Sequence, residues 1–297
     1  MSNSKVLRVG GVPEHFNLPW HLAREKGRFA ESGLNVQYID FPGGTGAMTR
    51  GLRDGVIDIA LVLSEGAVTN VLRGNPLRIV KVYVESPLIW GIHVAANSRF
   101  ENIDDIRGAR YAITRQGSGS HLIAIVDAAE RGWNTDEMEF VRVGGIEGAR
   151  EALADGEADV FLWERFMTQS IVDLGEFRRI GERRVPWPAF VVAGNEPVVE
   201  DREDEIRQVL SIIDKECAGL MQNPNAIELI SQRYDLDESE TQIWFDHVCW
   251  HAGFDCPTED LDRVIKYLER VGIVETNGAK ASSVWRDLKS GVDQSKS

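Results

Sequence analysis

The fold is decided by two similar stretches, Leu52-Arg-Asp-Gly-Val-Ile-Asp-Ile-Ala60 and Leu153-Ala-Asp-Gly-Glu-Ala-Asp-Val-Phe161, which lie about a hundred residues apart. In each stretch a glycine, Gly55 or Gly156, follows a helix-forming segment and precedes a short apolar run. Glycine often ends a helix because it adopts the left-handed conformation without a Cβ clash. Each stretch therefore predicts the last turn of a helix, a stop and a buried β-strand.

The similarity continues upstream of both stretches. Ala23-Arg-Glu-Lys-Gly-Arg-Phe29 resembles Ala129-Glu-Arg-Gly-Trp133, and a strand-like run follows each, at 36–41 and 139–143. Each half of the chain thus reads as strand, helix, strand, helix, strand. Strands that alternate with helices of about ten residues form parallel βαβ crossovers. We predict an α/β protein with two lobes, each a mostly parallel sheet flanked by helices.

The two lobes are not expected to be consecutive in sequence. Two β-rich passages, 77–95 and 186–193, bracket the second unit. Such passages are needed if the chain leaves the first lobe and later returns to it. Two connections of this kind would form a hinge between the lobes. We predict one lobe from residues 1–88 and 192–275, the other from 89–191, and a polar C-terminal tail over 276–297.

Composition and charge exclude several classes of function. Of the 297 residues, 43% are hydrophobic and 27% charged, which is typical of a folded globular protein. The formal net charge of −14 argues against nucleic acid as a partner, because phosphate binding needs a basic surface. The apolar runs are far shorter than the roughly 20 residues of a membrane-spanning helix, so we expect no direct membrane insertion.

The N-terminus and the cysteines bear on the cellular compartment. The first eight residues form no apolar leader, so we expect a cytoplasmic protein as the sequence stands, or a periplasmic one if a leader has been removed. The three cysteines are odd in number and lie in the C-terminal third. We expect them to be structural thiols in a reducing compartment.

Candidate site residues lie in the loops that follow the strands. In α/β sheets, ligands bind beyond the carboxyl ends of the strands, where loops run into helix N-termini. Two such loops, Pro42–Gly46 and Gln116–Ser120, place glycines and hydroxyl groups just before a helix. Backbone N–H groups and the helix dipole there favour an anionic or oxygen-rich group. Neither loop is a phosphate-loop or dinucleotide motif, and tight turns with helix caps are the alternative.

A second candidate is the pair Trp163-Glu164 at the end of a predicted core strand. A charge is unexpected there, and a carboxylate beside an aromatic ring suits an amine or a ring N–H. The alternative is an ion pair between Glu164 and Arg115 inside the second lobe. His15 and His121 each open a predicted helix, where they can contact a ligand or transfer protons, although a capping role is more common.

Several motifs together resemble a known protein superfamily. Ala23-x-Glu-Lys-Gly27, Gly33-Leu34-x-Val36, Gly43-Gly-Thr45 and Ile103-Asp-Asp-Ile-Arg-Gly108 are similar to segments of type 2 periplasmic solute-binding proteins. Within that superfamily the chain resembles the branch of nitrate, alkanesulfonate and thiamine-pyrimidine-precursor binders, which includes the fungal thiamine pyrimidine synthases. Three further motifs, Gly119-Ser-His121-Leu, Phe161-Leu-Trp-Glu164 and Trp187-Pro-x-Phe190, are similar to a bacterial and fungal subgroup that often lacks a signal peptide. The resemblance implies a two-lobe hinged fold that captures a small molecule between its lobes.

The resemblance also implies where the ligand binds. The residues that we predict to contact it are Glu14, His15, Phe16, Asn17, Gly44, Thr45, Ser64, Glu65, Arg115, Gln116, Ser118, Ser120, His121, Trp163 and Glu164. We expect no cofactor and no metal ion. His247 and His251 are four residues apart but lack the glutamate of a zinc-binding His-Glu-x-x-His helix.

Two functions stay open at this point. The first is a solute-binding protein that captures a small molecule with an anionic or oxygen-rich group. In its most specific form it is the binding component of an ABC-type uptake system, with a membrane transporter subunit as partner. The second is a cytosolic enzyme of thiamine-pyrimidine-like or menaquinone-like cofactor metabolism on the same fold, with His15, His121 or Glu164 as its acid or base. A ligand released unchanged favours the first.

Overall fold

The computed structural model describes residues 5–288 and contains two five-stranded sheets. The strands are β1 (Leu7–Gly11), β2 (Val36–Asp40), β3 (Ile59–Leu63), β4 (Leu77–Val84), β5 (Ile89–Ala95), β6 (Arg110–Ile113), β7 (Glu139–Arg142), β8 (Val160–Glu164), β9 (Phe177–Arg184) and β10 (Phe190–Asn195). The helices are α1 (Leu18–Glu25), α2 (Arg28–Glu31), α3 (Gly44–Arg53), α4 (Ser64–Leu72), α5 (Gly119–Glu130), α6 (Ile146–Ala154), α7 (Gln169–Asp173), α8 (Glu196–Asp201), α9 (Glu203–Met221), α10 (Ala226–Tyr234), α11 (Glu238–Phe245), α12 (Thr258–Arg270) and α13 (Ala281–Val284). The predicted α/β class is confirmed.

The two sheets share one topology. The first has the strand order β2-β1-β3-β10-β4 and the second the matching order β7-β6-β8-β5-β9. The first three strands of each sheet are parallel. The fourth strand in each, β10 or β5, is antiparallel to both of its neighbours. The internal repeat in the sequence therefore corresponds to two lobes of the same design.

A matching ion pair fixes the repeated stretch in each lobe. In the first lobe Asp58 accepts hydrogen bonds from the backbone N–H (2.7 Å), Nε (3.1 Å) and Nη2 (2.7 Å) of Arg8, and Arg8 also donates to the Gly55 carbonyl. In the second lobe Asp159 accepts the same three bonds from Arg110, which donates to the carbonyl of the repeat glycine. The glycine and aspartate of each repeat thus attach a helix end to the first strand of their lobe.

The chain passes between the sheets twice. Residues 85–88 join β4 to β5, and residues 185–189 lead from β9 back to β10. The two passages lie side by side, since the Ala189 N–H donates to the Ser86 carbonyl at 3.3 Å. The second sheet is therefore inserted into the first through a paired connection.

The C-terminal part of the described chain packs on the first sheet. Helix α9 contacts α1, and α12 contacts α4. Trp285 forms an isolated parallel bridge with Ile79 of β4, and Val284 and Leu288 are buried. The remainder of the expected tail, 289–297, lies outside the described residues. Within residues 5–288, none of the helices has the length and apolar character needed to cross a membrane.

Candidate ligand-binding site

A cavity of about 430 Å³ lies between the two sheets, beyond the carboxyl ends of their parallel strands. Its wall comes from both lobes. The first sheet and its loops contribute Val12, Pro13, Glu14, Pro42, Gly43, Gly44, Thr45, Leu63 and Phe190; the second contributes Trp90, Thr114, Ser118, Gly119, Ser120, Gly144, Gly145, Ile146, Glu147, Gly148, Trp163, Glu164 and Met167, and Leu88 comes from the passage between them. A cavity of this volume holds a small molecule.

Three helices begin at the cavity wall. Helix α3 starts at Gly44, α5 at Gly119 and α6 at Ile146, and residues from all three starts line the cavity. The first N–H groups of a helix lack intrahelical partners, and the aligned peptide dipoles make this end partly positive. Both glycine-rich loops that we predicted for an oxygen-rich group border the cavity through these helix starts.

The hydroxyl groups of these loops also bind within the protein. Thr45 Oγ1 accepts from the Leu63 N–H at 3.0 Å, and Ser120 Oγ accepts from the backbone N–H just after β6 at 3.2 Å. Ser118 Oγ caps α5 by accepting the His121 N–H at 3.4 Å. The hydroxyls therefore serve as caps and turn supports while they line the cavity. Each hydroxyl has two acceptor sites and one donor, so capacity is left for a ligand.

Two buried carboxyl groups, one from each lobe, line the cavity. Glu14 is 9% exposed, and burial raises its pKa to about 7. Glu164 is 4% exposed, and its Oε2 accepts the Met167 N–H at 2.8 Å. Burial raises the pKa of Glu164 to about 8, and the charge of Glu14 adds to this increase. The cavity wall therefore holds two acids that give up their protons only near or above neutral pH.

The alternative ion pair between Glu164 and Arg115 does not form among the described residues. Arg115 instead crosses the cleft, where its Nη1 donates to the Gly43 carbonyl of the first lobe. Burial, together with the charge of Arg50, lowers the pKa of Arg115 to about 10. Arg115 thus connects the lobes beside the cavity without lining it.

Apolar and aromatic side chains that we did not predict form much of the remaining wall. Phe190 of β10 pairs with Leu63, and Trp90 of β5 pairs with Glu164. Both strands are antiparallel to their neighbours, so Phe190 and Trp90, the first residue of β10 and the second of β5, lie at the edge where the parallel strands end. Phe16, a predicted contact, packs behind this wall with its ring centroid 5.0 Å from that of Phe190.

Two more predicted contacts, in the segment between β1 and α1, lie behind the cavity wall. His15 is fully buried, with its ring 4.1 Å from that of Trp244 between centroids. Burial lowers the pKa of His15 to about 3, so the ring is neutral at physiological pH. Asn17 Nδ2 donates to the Val12 carbonyl at 2.8 Å. These side chains shape the loop that carries Glu14.

Four other predicted contacts also lie outside the cavity. The Ser64 hydroxyl donates to the Pro188 carbonyl at 2.6 Å, and Glu65 Oε2 accepts an indole N–H of the same passage at 3.0 Å. Both side chains therefore attach α4 to the passage that leads from β9 back to β10. Gln116 and His121 border a separate hollow at the surface. A ligand-binding role for these residues stays a prediction.

Comparison with known proteins establishes the family. The sequence profile of a family described as NMT1/THI5-like matches residues 14–227, well over half of the chain. The chain belongs to the NMT1/THI5-like family. The profile match begins in the loop that carries Glu14 and includes both glycine-rich loops, and the resemblance predicted from the motifs is confirmed. A search of curated proteins gives no match to this NMT1/THI5-like chain.

Solved structures similar to this NMT1/THI5-like protein have the periplasmic-binding-protein fold. A Candida albicans gene product described as having that generic fold is 22% identical with a TM-score of 0.85, over 94% of this chain and 93% of that one. The alkanesulfonate-binding protein SsuA from Xanthomonas axonopodis pv. citri, bound to MOPS, is 17% identical with a TM-score of 0.78, over 96% and 100%. The periplasmic aliphatic sulphonate binding protein SsuA from Escherichia coli is 17% identical with a TM-score of 0.69, over 95% and 99%. These similarities establish the two-lobe fold.

Proposed function

We propose that the protein is a solute-binding protein that captures a small molecule between its two lobes. The observation that carries the proposal is the cavity of about 430 Å³ whose wall comes from both lobes. A ligand that contacts both sides favours the closed arrangement, because its contacts are complete only there. The family match and the sulfonate-binding names of two structural neighbours support a binding role.

An anionic or oxygen-rich group of the ligand is proposed to bind at the starts of α3, α5 and α6. Each helix N-terminus contributes roughly 0.3–1 kcal/mol to the binding of a negative group. The proposed partner is a membrane transporter subunit of an ABC-type uptake system. The resemblance to periplasmic solute-binding proteins supports this partner, as does the periplasmic neighbour from Escherichia coli.

Native mass spectrometry tests the proposal on protein purified without refolding. We expect one small molecule per chain, released on denaturation with its mass unchanged after long incubation. Adding the released molecule back to stripped protein raises the melting temperature, because it binds only the native state. The absence of any captured molecule, together with an unchanged melting temperature in the presence of cell extract metabolites, contradicts a solute-binding role.

An enzyme on the same fold is the second candidate, and one observation favours it. The Glu164 carboxyl lines the cavity with its pKa raised to about 8 by burial, and a shifted pKa of this kind suits a general acid or base. The same incubation distinguishes the two functions. A new mass formed from the captured molecule, and lost in Glu164→Gln, favours the enzyme.

Closure of the lobes depends on the absence of a side chain at Gly119. A Cβ atom on Gly119 would lie 2.5 Å from Cδ1 of Leu63 in the other lobe and 2.9 Å from Cη2 of Trp90. We expect Gly119→Val to weaken ligand binding by about tenfold or more, since overpacking costs roughly 1–3 kcal/mol, and to leave the protein extended in small-angle X-ray scattering when ligand is added. Gly219→Val is the control, because a Cβ there meets no atom within 4 Å. Equal compaction of both variants contradicts this role of Gly119.

A further inference from the structure

Two buried carboxyl groups, those of Glu14 and Glu164, line the cavity without a positive charge to balance them, whereas the third glutamate of the wall, Glu147, is exposed and pairs with Arg150. Among the described residues of the cavity wall, none is a lysine, an arginine or a histidine. Arg115 and Arg165 neighbour the site loops in sequence but do not line the cavity. Arg115 Nη1 donates to a backbone carbonyl of the first lobe, while its buried Nη2 has no partner among the described residues. Arg165 pairs with Glu182 at 2.7 Å and Glu240 at 3.2 Å. No side chain of the wall therefore balances the charge of these two carboxyls when they are ionised.

Burial makes the ionisation of these two acids costly in the empty protein. The side chain of Glu14 is about nine-tenths buried, and within residues 5–288 its carboxyl has no hydrogen-bond or ion-pair partner. Glu164 is buried more deeply and accepts only backbone N–H groups, including that of Met167. A buried charge without a partner is destabilising. A ligand that brings N–H donors and a positive charge removes this cost when it binds.

The two buried carboxyl groups and two of the three helix starts are displaced from each other along the cleft. Glu14 follows β1 and Glu164 ends β8, and both are interior strands of their sheets. Helices α3 and α6 begin after the edge strands β2 and β7, whereas α5 begins after the interior strand β6. Neighbouring strands lie about 4.8 Å apart, so the starts of α3 and α6 make the cavity more positive toward the edge strands.

We propose that the ligand carries a cationic nitrogen group, an ammonium or an amidinium, that binds to the carboxylates of Glu14 and Glu164. This inference rests on the proposed function, because it describes the ligand of the same cavity. The nitrogen donates hydrogen bonds to both carboxylates, and its charge replaces the lysine or arginine that the wall lacks. Trp90 and Trp163 also border the cavity, and indole rings attract cations. With an oxygen-rich group at the helix starts, the whole ligand is dipolar.

Three matched aromatic probes test the charge preference on the full chain after bound ligand has been removed. Benzamidine is cationic, benzamide is neutral and benzenesulfonate is anionic, while all three share one ring. Isothermal titration calorimetry at about pH 8.5, where both carboxyls are mostly ionised, measures the affinities of the three probes. We expect benzamidine to bind at least about tenfold more tightly than either of the other two.

Replacing each of the two glutamates by glutamine tests whether their carboxyl groups cause the preference for benzamidine. Glu14→Gln and Glu164→Gln keep the size of each side chain and remove its charge, so each is expected to lower benzamidine affinity about tenfold and to leave benzamide affinity unchanged. Glu157→Gln removes an exposed carboxylate of the second lobe and retains the preference. Circular dichroism and the melting temperature confirm that each variant is folded.

Several outcomes overturn the inference. These are equal affinity for benzamidine and benzamide, tighter binding of benzenesulfonate, binding of none of the probes at millimolar concentration, or a preference that survives both glutamine substitutions. Native mass spectrometry separates these from a failure of the proposed function. A captured molecule without a cationic nitrogen overturns the charge preference alone, whereas the absence of any captured molecule removes the solute-binding role itself.

Discussion

Asp58→Ala is expected to lower the free energy of unfolding by about 3–5 kcal/mol, the usual cost of removing one partner from a buried ion pair. The Asp58 side chain is 3% exposed, accepts three hydrogen bonds from Arg8 and lies 3.7 Å from Arg202. Burial alone raises the pKa of Asp58, but the hydrogen bonds and charge of Arg8 outweigh it and hold the pKa below its usual value. Alanine therefore leaves buried donors unpaired and releases the helix end from β1.

The matching residue of the second lobe provides the control. Asp159 makes the same contacts with Arg110, but its side chain is 21% exposed, so Asp159→Ala is expected to cost only about 1–2 kcal/mol. Urea denaturation followed by circular dichroism measures both losses. Equal losses in the two variants would show that burial does not set the cost.

The ligand-free protein is expected to lose stability as the pH rises from about 7 to about 8.5. Burial raises the pKa of Glu14 and Glu65 to about 7 and that of Glu164 to about 8, whereas glutamates in an unfolded chain titrate near about 4.3. The native state therefore holds more protons than the unfolded state in this range. The stability from these groups is fully present below the unfolded pKa and is lost as the pH rises through the folded values. We expect a loss on the order of 2 kcal/mol in the free energy of unfolding.

Between about pH 7 and about pH 8.5, the change in stability comes from the buried carboxyl groups and not from the buried histidines. Burial lowers the pKa of His15 and His93 to about 3, so these rings oppose the carboxyl effect only below about pH 6.5, where unfolded histidine gains a proton. Urea denaturation at several pH values measures the slope. The double variant Glu14→Gln/Glu164→Gln is expected to be more stable than the parent at about pH 8.5 and to show a flatter slope. An unchanged slope in the double variant contradicts the assignment to these two carboxyls.

Much of the fold could be predicted because the sequence repeats its local signals. The Gly55 and Gly156 stretches mark the same helix end and buried strand in both lobes, and the structure shows why each needs its aspartate. Strand β9 gave no such signal. It contains Arg178, Arg179, Arg183 and Arg184, and it forms because β5 pairs with it along its length. A strand that is specified by its neighbour leaves little trace in local hydrophobicity.

The site was predictable where it follows parallel strands. Glu14, Thr45, Ser118 and Glu164 reach the cavity because each sits in a loop or at a strand end on the edge that binds ligands. Ser64 and Glu65 lie just beyond Leu63, but α4 has already begun there, and successive helical residues point in different directions. Trp90 and Phe190 were not among the predicted contacts because they lie at the starts of antiparallel strands, whose orientation depends on the path of the chain between the lobes.

The position of β10 also determines the order in which the two sheets can be completed as the chain is synthesised. Among residues 5–288, strand β4 pairs within its sheet only with β10, so the first sheet stays unfinished until Asn195 has emerged from the ribosome. The described strands of the second sheet all lie between Ile89 and Arg184, and its contacts are nearer in sequence. Because domains fold as their chain becomes available and distant pairings form late, the lobe that is second in sequence is the first that can finish folding, while β4 waits with an unpaired edge.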